Sequence, residues 1–147
     1  MTQIPIFDTY RAVKETEGIQ MVDEARKSEM RKYQQERSAI RRARGLVTRT
    51  FWIWEEDSDA FRAAVTPYVD RARLIEALLG TAPLPDLELI TIVKTHEFPY
   101  DPEDIVFLAG LRTTIALRPL EATYAEQKAR EILARYDLPV TLEDIIS

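Results

Sequence analysis

Residues 87–94 read LELITIVK, and the fold class turns on this octet. Its aliphatic and β-branched content, its length and the turn-rich TAPLPD before it read as a buried or half-buried strand. A second stretch of the same character is LVTRTFWIW at 46–54, where β-branched and aromatic residues dominate. The segment between them has a helical pattern, so the three together fit a βαβ unit. Two strands alone make a marginal sheet. They must be covered by helices or extended by another chain. The expectation is therefore a mostly α (α+β) protein, with a helical core around a short two-stranded sheet.

The clearest periodic element is the one between the strands. Phe61, Ala64, Val65, Tyr68, Val69, Ala72, Ile75, Leu78 and Leu79 form a stripe at helical spacing over 58–79, with Asp57 or Ser58 as the N-cap and Gly80 as the stop. The stripe keeps its phase across Pro67, which predicts a kink or a restart capped by Thr66. Further on, Asp101 caps a helix that begins with Pro102. That helix, 102–118, is apolar almost all round in its first two turns and reads as the central buried helix. Gly110 within it suggests a closely approaching neighbour. Pro119 opens a last long helix, 120–136, whose expected core face is Leu120, Tyr124, Ala125, Ala129, Ile132, Leu133 and Tyr136. Thr141, with Asp144 three residues later, caps a short terminal turn.

Toward the N-terminus, MTQIPIF is apolar but broken by Pro5, and reads as an extended docking arm. A short helix follows, capped by Asp8 and closed by Gly18. A second runs from about Ile19 to Arg44 and stops at Gly45. Its apolar seam is thin: Tyr33, Ile40 and Val47 lie seven apart, while the companion positions hold Met30, Arg37 and Arg44. A self-pairing coiled coil wants apolar residues at both. The organisation expected is an arm and basic helix over 1–45 and a mostly helical domain over 46–147.

Charge is segregated along the chain. Residues 26–49 hold nine Lys or Arg against two acids, a local charge of +7 in a protein of net charge −5. Residues 50–147 hold nine bases and eighteen acids. Such asymmetry points to an interaction, either with an acidic partner or between copies or parts of the chain. A solvated face, phosphate contact and docking on an acidic protein surface all use the same side chains. No helix-turn-helix, zinc-finger or RNA-recognition pattern adds base readout.

Hydrophobic residues at 46% and charged residues at 31% are the balance of a folded domain. The N-terminus lacks the features of a secretory signal, and no apolar run is long enough to span a membrane. The absence of cysteine removes disulfides and thiolate sites, and fits the cytoplasm or assembly there. His96, beside Glu97, lacks the HExxH spacing and any accompanying Ser motif, so it reads as a loop or surface histidine. Glu55, Glu56, Asp57 and Asp59 lack calcium-loop spacing; acids in a first helical turn complement the helix dipole. The four glycines stand far apart, which argues against a nucleotide loop. No catalytic residue, metal or cofactor is expected. Trp52 and Trp54 alternate, so on a strand they share a face. Core packing is the plain reading; a contact patch or base-stacking platform is the sharper one.

The stretch DPEDIVFLAGLRTTIALRPLEATYAEQKAREILARYD, residues 101–137, resembles the helical pair of head-to-tail adaptor (connector) proteins of tailed phages. That resemblance implies a ring-forming virion component without catalysis. The reading that follows is a non-enzymatic assembly or adaptor protein, working in the cytoplasm or assembled into a virion there. It would dock on a protein partner or a second copy. Ile4, Ile6 and Phe7 would supply apolar contacts, and Arg31, Lys32, Arg37, Arg41, Arg42 and Arg44 charge complementarity. The alternative is a small nucleic-acid-binding regulator using the same bases.

Overall fold

The computed structural model describes the backbone from Ile6 to Ser147 and the side chains from Val22 onward. Seven α-helices appear among these residues: α1 (Ile6–Ala43), α2 (Ser58–Leu79), α3 (Asp86–Thr95), α4 (Pro102–Ala109), α5 (Leu111–Leu117), α6 (Ala122–Arg135) and α7 (Leu142–Ile146). Short 3-10 turns at Glu55–Asp57 and Pro119–Glu121 lead into α2 and α6. The chain divides into two units, Met1–Phe51 and Trp52–Ser147.

The expected sheet is not there. Among the described residues no strand occurs, and the architecture is all-α. LELITIVK is the body of α3. The reason lies in its periodicity. A period of two would mix Leu89 with Thr91 on one face and Ile92 with Glu88 on the other. A period of 3.6 gathers Leu89, Ile92 and Val93 on one side, and these three are the buried ones. Asp86 and Glu88 in the first turn and Lys94 in the last suit the helix dipole. Burial of that face overrides the β-propensity of Ile and Val. Without a partner strand, 46–54 is irregular chain, and Val47, Phe51, Trp52, Ile53 and Trp54 are exposed.

The first unit contains α1, one continuous helix of 38 residues, about 57 Å long at 1.5 Å per residue. It begins at Ile6, inside the stretch expected to be an extended arm, and passes Gly18 without a break. It ends where the glycine predicts. Gly45 has φ +88°, its N–H donates to Arg42 O (3.1 Å), and Leu46 N–H donates to Arg41 O (2.9 Å). This is a Schellman stop, and the left-handed residue is a glycine because no Cβ then meets the following carbonyl.

The second unit packs α2 to α7 around one core. Leu74, Leu78, Leu89, Ile105, Leu108, Leu111, Ile132 and Ile145 are its largest fully buried side chains. Helix α2 begins and ends as its pattern predicts and runs through Pro67 unbroken. Beside the missing Pro67 N–H, the Thr66 hydroxyl donates to Arg62 O (2.5 Å). Only the C-terminal half of α2 is in the core, from Leu74 onward; Ala64, Tyr68 and Val69 of the expected stripe are exposed. Gly80 makes a second Schellman stop at φ +73°.

Two further expectations need correction. The single helix 102–118 divides at Gly110, whose φ of −91° and ψ of 0° leave the α region. A Cβ there would meet only Val106 O and Phe107 O of its own turn, at ordinary contact distances. Gly110 is therefore a junction, not a site of close approach. In α6 the buried face is Ala125, Ala129 and Ile132, with Leu133 and Tyr136 partly buried beside it. Tyr124 lies about 100° round the helix from that face at 100° per residue, Leu120 sits in the 3-10 turn before the helix begins, and both are exposed. Asp101 does cap α4, accepting from Glu103 N–H (2.9 Å). Thr141 and Asp144 close a reciprocal capping box on α7.

Candidate interaction surface

Three exposed features stand out, and each follows from the local sequence. The first is the basic side of α1. Arg31, Lys32, Arg41, Arg42 and Arg44 are exposed and Arg37 is half-exposed. Its guanidinium lies 5.6 Å from the centre of the Tyr33 ring, one turn back. Met30, Tyr33 and Ile40 are each about half open to solvent. Arg at two of the seam positions is what leaves this stripe thin and mixed with cations. Isolated helices gain little from propensity alone, and most of their stability in proteins comes from covering an apolar stripe. Ile4 lies outside the described residues; Ile6 and Phe7 form the first turn of α1, and their side chains lie outside the described set.

The second feature begins the second unit. Trp52 is fully exposed and Trp54 is 82% exposed. Core packing does not hold for either. They are the only two tryptophans in the chain. Directly after them come Glu55, Glu56, Asp57 and Asp59, all exposed. Asp57 occupies the N-cap of α2 but makes no capping hydrogen bond with its side chain. The cap geometry therefore leaves this carboxylate to solvent. Among the described residues no ion pair involves these four acids. The third feature is the apolar corner where α5 meets α6. Leu117, Leu120 and Tyr124 are exposed there.

Sequence reasoning missed a polar cluster elsewhere in the second unit. His96 ends α3, and its Nε2 lies 2.6 Å from Asp70 Oδ2 on α2. It lies in the turn after α3, so the loop placement holds, but its side chain is only 10% exposed and it is not a surface histidine. Arg73 joins Asp70 (3.1 Å) and also bonds Glu88. Burial pushes the Asp70 carboxyl up, but hydrogen bonds and positive charge from His96 and Arg73 outweigh it and hold it below its ordinary value. Arg73 is itself raised, chiefly by its bond to Glu88. The cluster ties α2 to α3. His96 begins a row of aromatic contacts through Phe98 and Tyr100 to Tyr136. At the far end the Tyr136 hydroxyl donates to Asp104 Oδ2 (2.7 Å) and accepts from Asp101 N–H (3.1 Å). The bond to Asp104 raises its pKa. Every one of these groups bonds another part of the fold. They read as fasteners between helices. The pairing of His96 with Asp70 spans 26 residues and leaves no local signal.

Among the described residues no group of three or more His, Asp or Glu is placed to hold a metal ion. No helix there is long and apolar enough to cross a membrane. Comparison with protein-family models, with curated proteins and with solved structures finds no match to this chain.

Proposed function

We propose that this chain is a non-enzymatic assembly or adaptor protein whose docking elements are its N-terminal segment and basic helix α1. The observation that carries the reading is the exposure of Trp52 and Trp54 next to that helix in sequence. Fully burying a tryptophan removes about 150–250 Å² from water. Two of them are worth roughly 7–12 kcal/mol of gross transfer free energy at about 25 cal/mol per Å². Solvent contact forfeits most of that, whereas a partner recovers it. The exposed corner at Leu117, Leu120 and Tyr124 supports the same reading. It spans the end of α5, the 3-10 turn and the start of α6, while the 3-10 turn after Trp54 packs on α2. Distinct apolar surfaces on different elements suit a component with more than one neighbour, as in head-to-tail contacts that close into rings.

The finer form of the proposal is a virion component at a head-to-tail junction, assembled in the cytoplasm. The likeness of 101–137 to the phage connector helices supports it. The polar clusters of the second unit fasten helices to one another, which favours a structural role over catalysis.

The rival is nucleic-acid binding through α1, with the two tryptophans as stacking platforms. One titration separates the two. The full chain is followed by light scattering and tryptophan emission, alone and with mixed-sequence duplex and single-stranded DNA. Adaptor function predicts association between protein chains and no retention of DNA at 100 mM salt. Retention of DNA would overturn it. The signature would be an affinity that falls roughly 10³–10⁵-fold from 50 to 200 mM salt for about six to ten phosphate contacts.

A further inference from the structure

Resting on that adaptor reading, we infer that the partner of the basic helix is a second copy of this chain. The cationic side of α1 around Met30 and Tyr33 docks on the acidic aromatic segment 52–59 of a neighbouring molecule. Three observations lead there. First, the complementary charges lie in different units. Residues 26–49 carry +7. The segment WIWEEDSD carries four acids in eight residues and no base. Second, both surfaces mix charge with exposed aromatic area in the same way. On the helix, Tyr33 and Met30 lie among Arg and Lys. On the segment, Trp52 and Trp54 precede the carboxylates. Burying the rings places the opposed charges at the rim of the contact, the arrangement that steers association and fixes register. Third, the carboxylates are available. All four are exposed, none pairs with a base among the described residues, and Asp57 is not spent on capping α2.

The two surfaces differ from each other, so the contact is heterologous. Each molecule offers one of each, and growth continues until a ring closes or a filament extends. Nucleic acid is the wrong occupant for the segment 52–59, because phosphates would face four carboxylates. A second copy satisfies both surfaces at once.

The test uses two full-length variants. In the first, Arg26, Lys27, Arg31, Lys32 and Arg37 become Glu, which takes residues 26–49 from +7 to −3. Glu matches Arg and Lys in helix propensity, so α1 is retained. In the second, Glu55, Glu56, Asp57 and Asp59 become Lys. Sedimentation velocity over a concentration series reads association. The wild-type chain associates. Each variant alone opposes like charges and weakens association about 100-fold or more. An equimolar mixture restores it, because the reversed helix of one meets the reversed segment of the other. Restoration also shows that both variants are folded.

Three results would overturn the inference. In one, the wild type stays monomeric at all concentrations. In another, the variants associate as the wild type does. In the third, the variants fail to associate even when mixed. Wild-type association that is indifferent to both reversals would remove this pairing of surfaces and leave the adaptor reading standing. A monomer that retains DNA would remove both.

Discussion

Gly80→Ala tests how the core of the second unit is locked. A Cβ built at Gly80 lies 1.9 Å from Arg112 Nη1 and 2.7 Å from its Cζ, so the guanidinium must move. It is not free to do so without loss. Its Nη2 donates to Leu79 O (2.6 Å) and Asp144 O (3.1 Å), joining α5 to the end of α2 and to α7. Breaking hydrogen bonds made by a charged donor costs about 1.5–3 kcal/mol. The left-handed backbone at φ +73° adds about 1–2 kcal/mol for a residue with a Cβ, offset by about 0.4–1 kcal/mol of unfolded-state entropy. The expected destabilisation is about 2–4 kcal/mol. With a urea slope of about 1–3 kcal/mol per M, the midpoint falls by roughly 0.7–4 M. Far-UV circular dichroism is the assay, since both tryptophans lie outside the core and their emission follows unfolding poorly. A double-mutant cycle with Arg112→Ala isolates the clash. In that background Gly80→Ala should cost only the backbone part, about 1 kcal/mol. Equal costs in the two backgrounds would refute the locking role of Arg112.

Glu97 gives the opposite sign. It has φ +50° and occupies the glycine position of a third Schellman stop, where Glu97 N–H donates to Lys94 O (3.3 Å) and Phe98 N–H to Val93 O (3.1 Å). Glu97→Gly relieves the left-handed strain and should stabilise by about 0.5–1 kcal/mol in urea unfolding; a loss of stability would contradict this. Asp70 predicts acid sensitivity. Its folded pKa lies below its ordinary 3.8, so its contribution is fully present above that value and fades as pH falls through the folded pKa. Asp70→Asn should therefore flatten the loss of stability below about pH 4 and cost about 1–3 kcal/mol at neutral pH. An unchanged acid limb would refute the role given to the His96–Asp70–Arg73 cluster. Tyr136 acts at the other extreme. Its raised pKa contributes stability below pH 10 that is lost as pH rises through the folded value. Tyr136→Phe should remove that alkaline step, and its persistence would refute the assignment.

Much of the helical framework was legible because local signals carry it. The stripe of 58–79, the Asp101–Pro102 start, the Thr141–Asp144 box and the stops at Gly45 and Gly80 are all short-range patterns. What failed depends on tertiary structure. Ile90, Thr91, Ile92 and Val93 favour strands by residue type, and only the burial of Leu89, Ile92 and Val93 against other helices makes them helical. The same error hid the state of 46–54, which has no strand to pair with. It also made Trp52 and Trp54 look like core. For the docking surface, the basic run was plain in the sequence, and the exposure of the tryptophans was not. The Asp70–His96 pair was illegible, since nothing within ten residues of either marks it. Glu97 did leave a trace. Val93 and Phe98 are an apolar pair at the spacing that accompanies a Schellman stop.

The most direct test of docking uses the two tryptophans as its reporter, because no others exist in the chain. Tryptophan emission and sedimentation are measured together on the wild-type chain over a wide concentration range at moderate salt. Docking predicts water-exposed emission at high dilution, shifting to shorter wavelength in step with the rise in sedimentation coefficient. It also predicts that both changes are reversed by 1 M salt, at which exposed charges more than about 3 Å apart are screened. Emission that stays water-exposed while the protein associates, or a monomer at every concentration, would contradict the claim that Trp52 and Trp54 belong to the contact between copies.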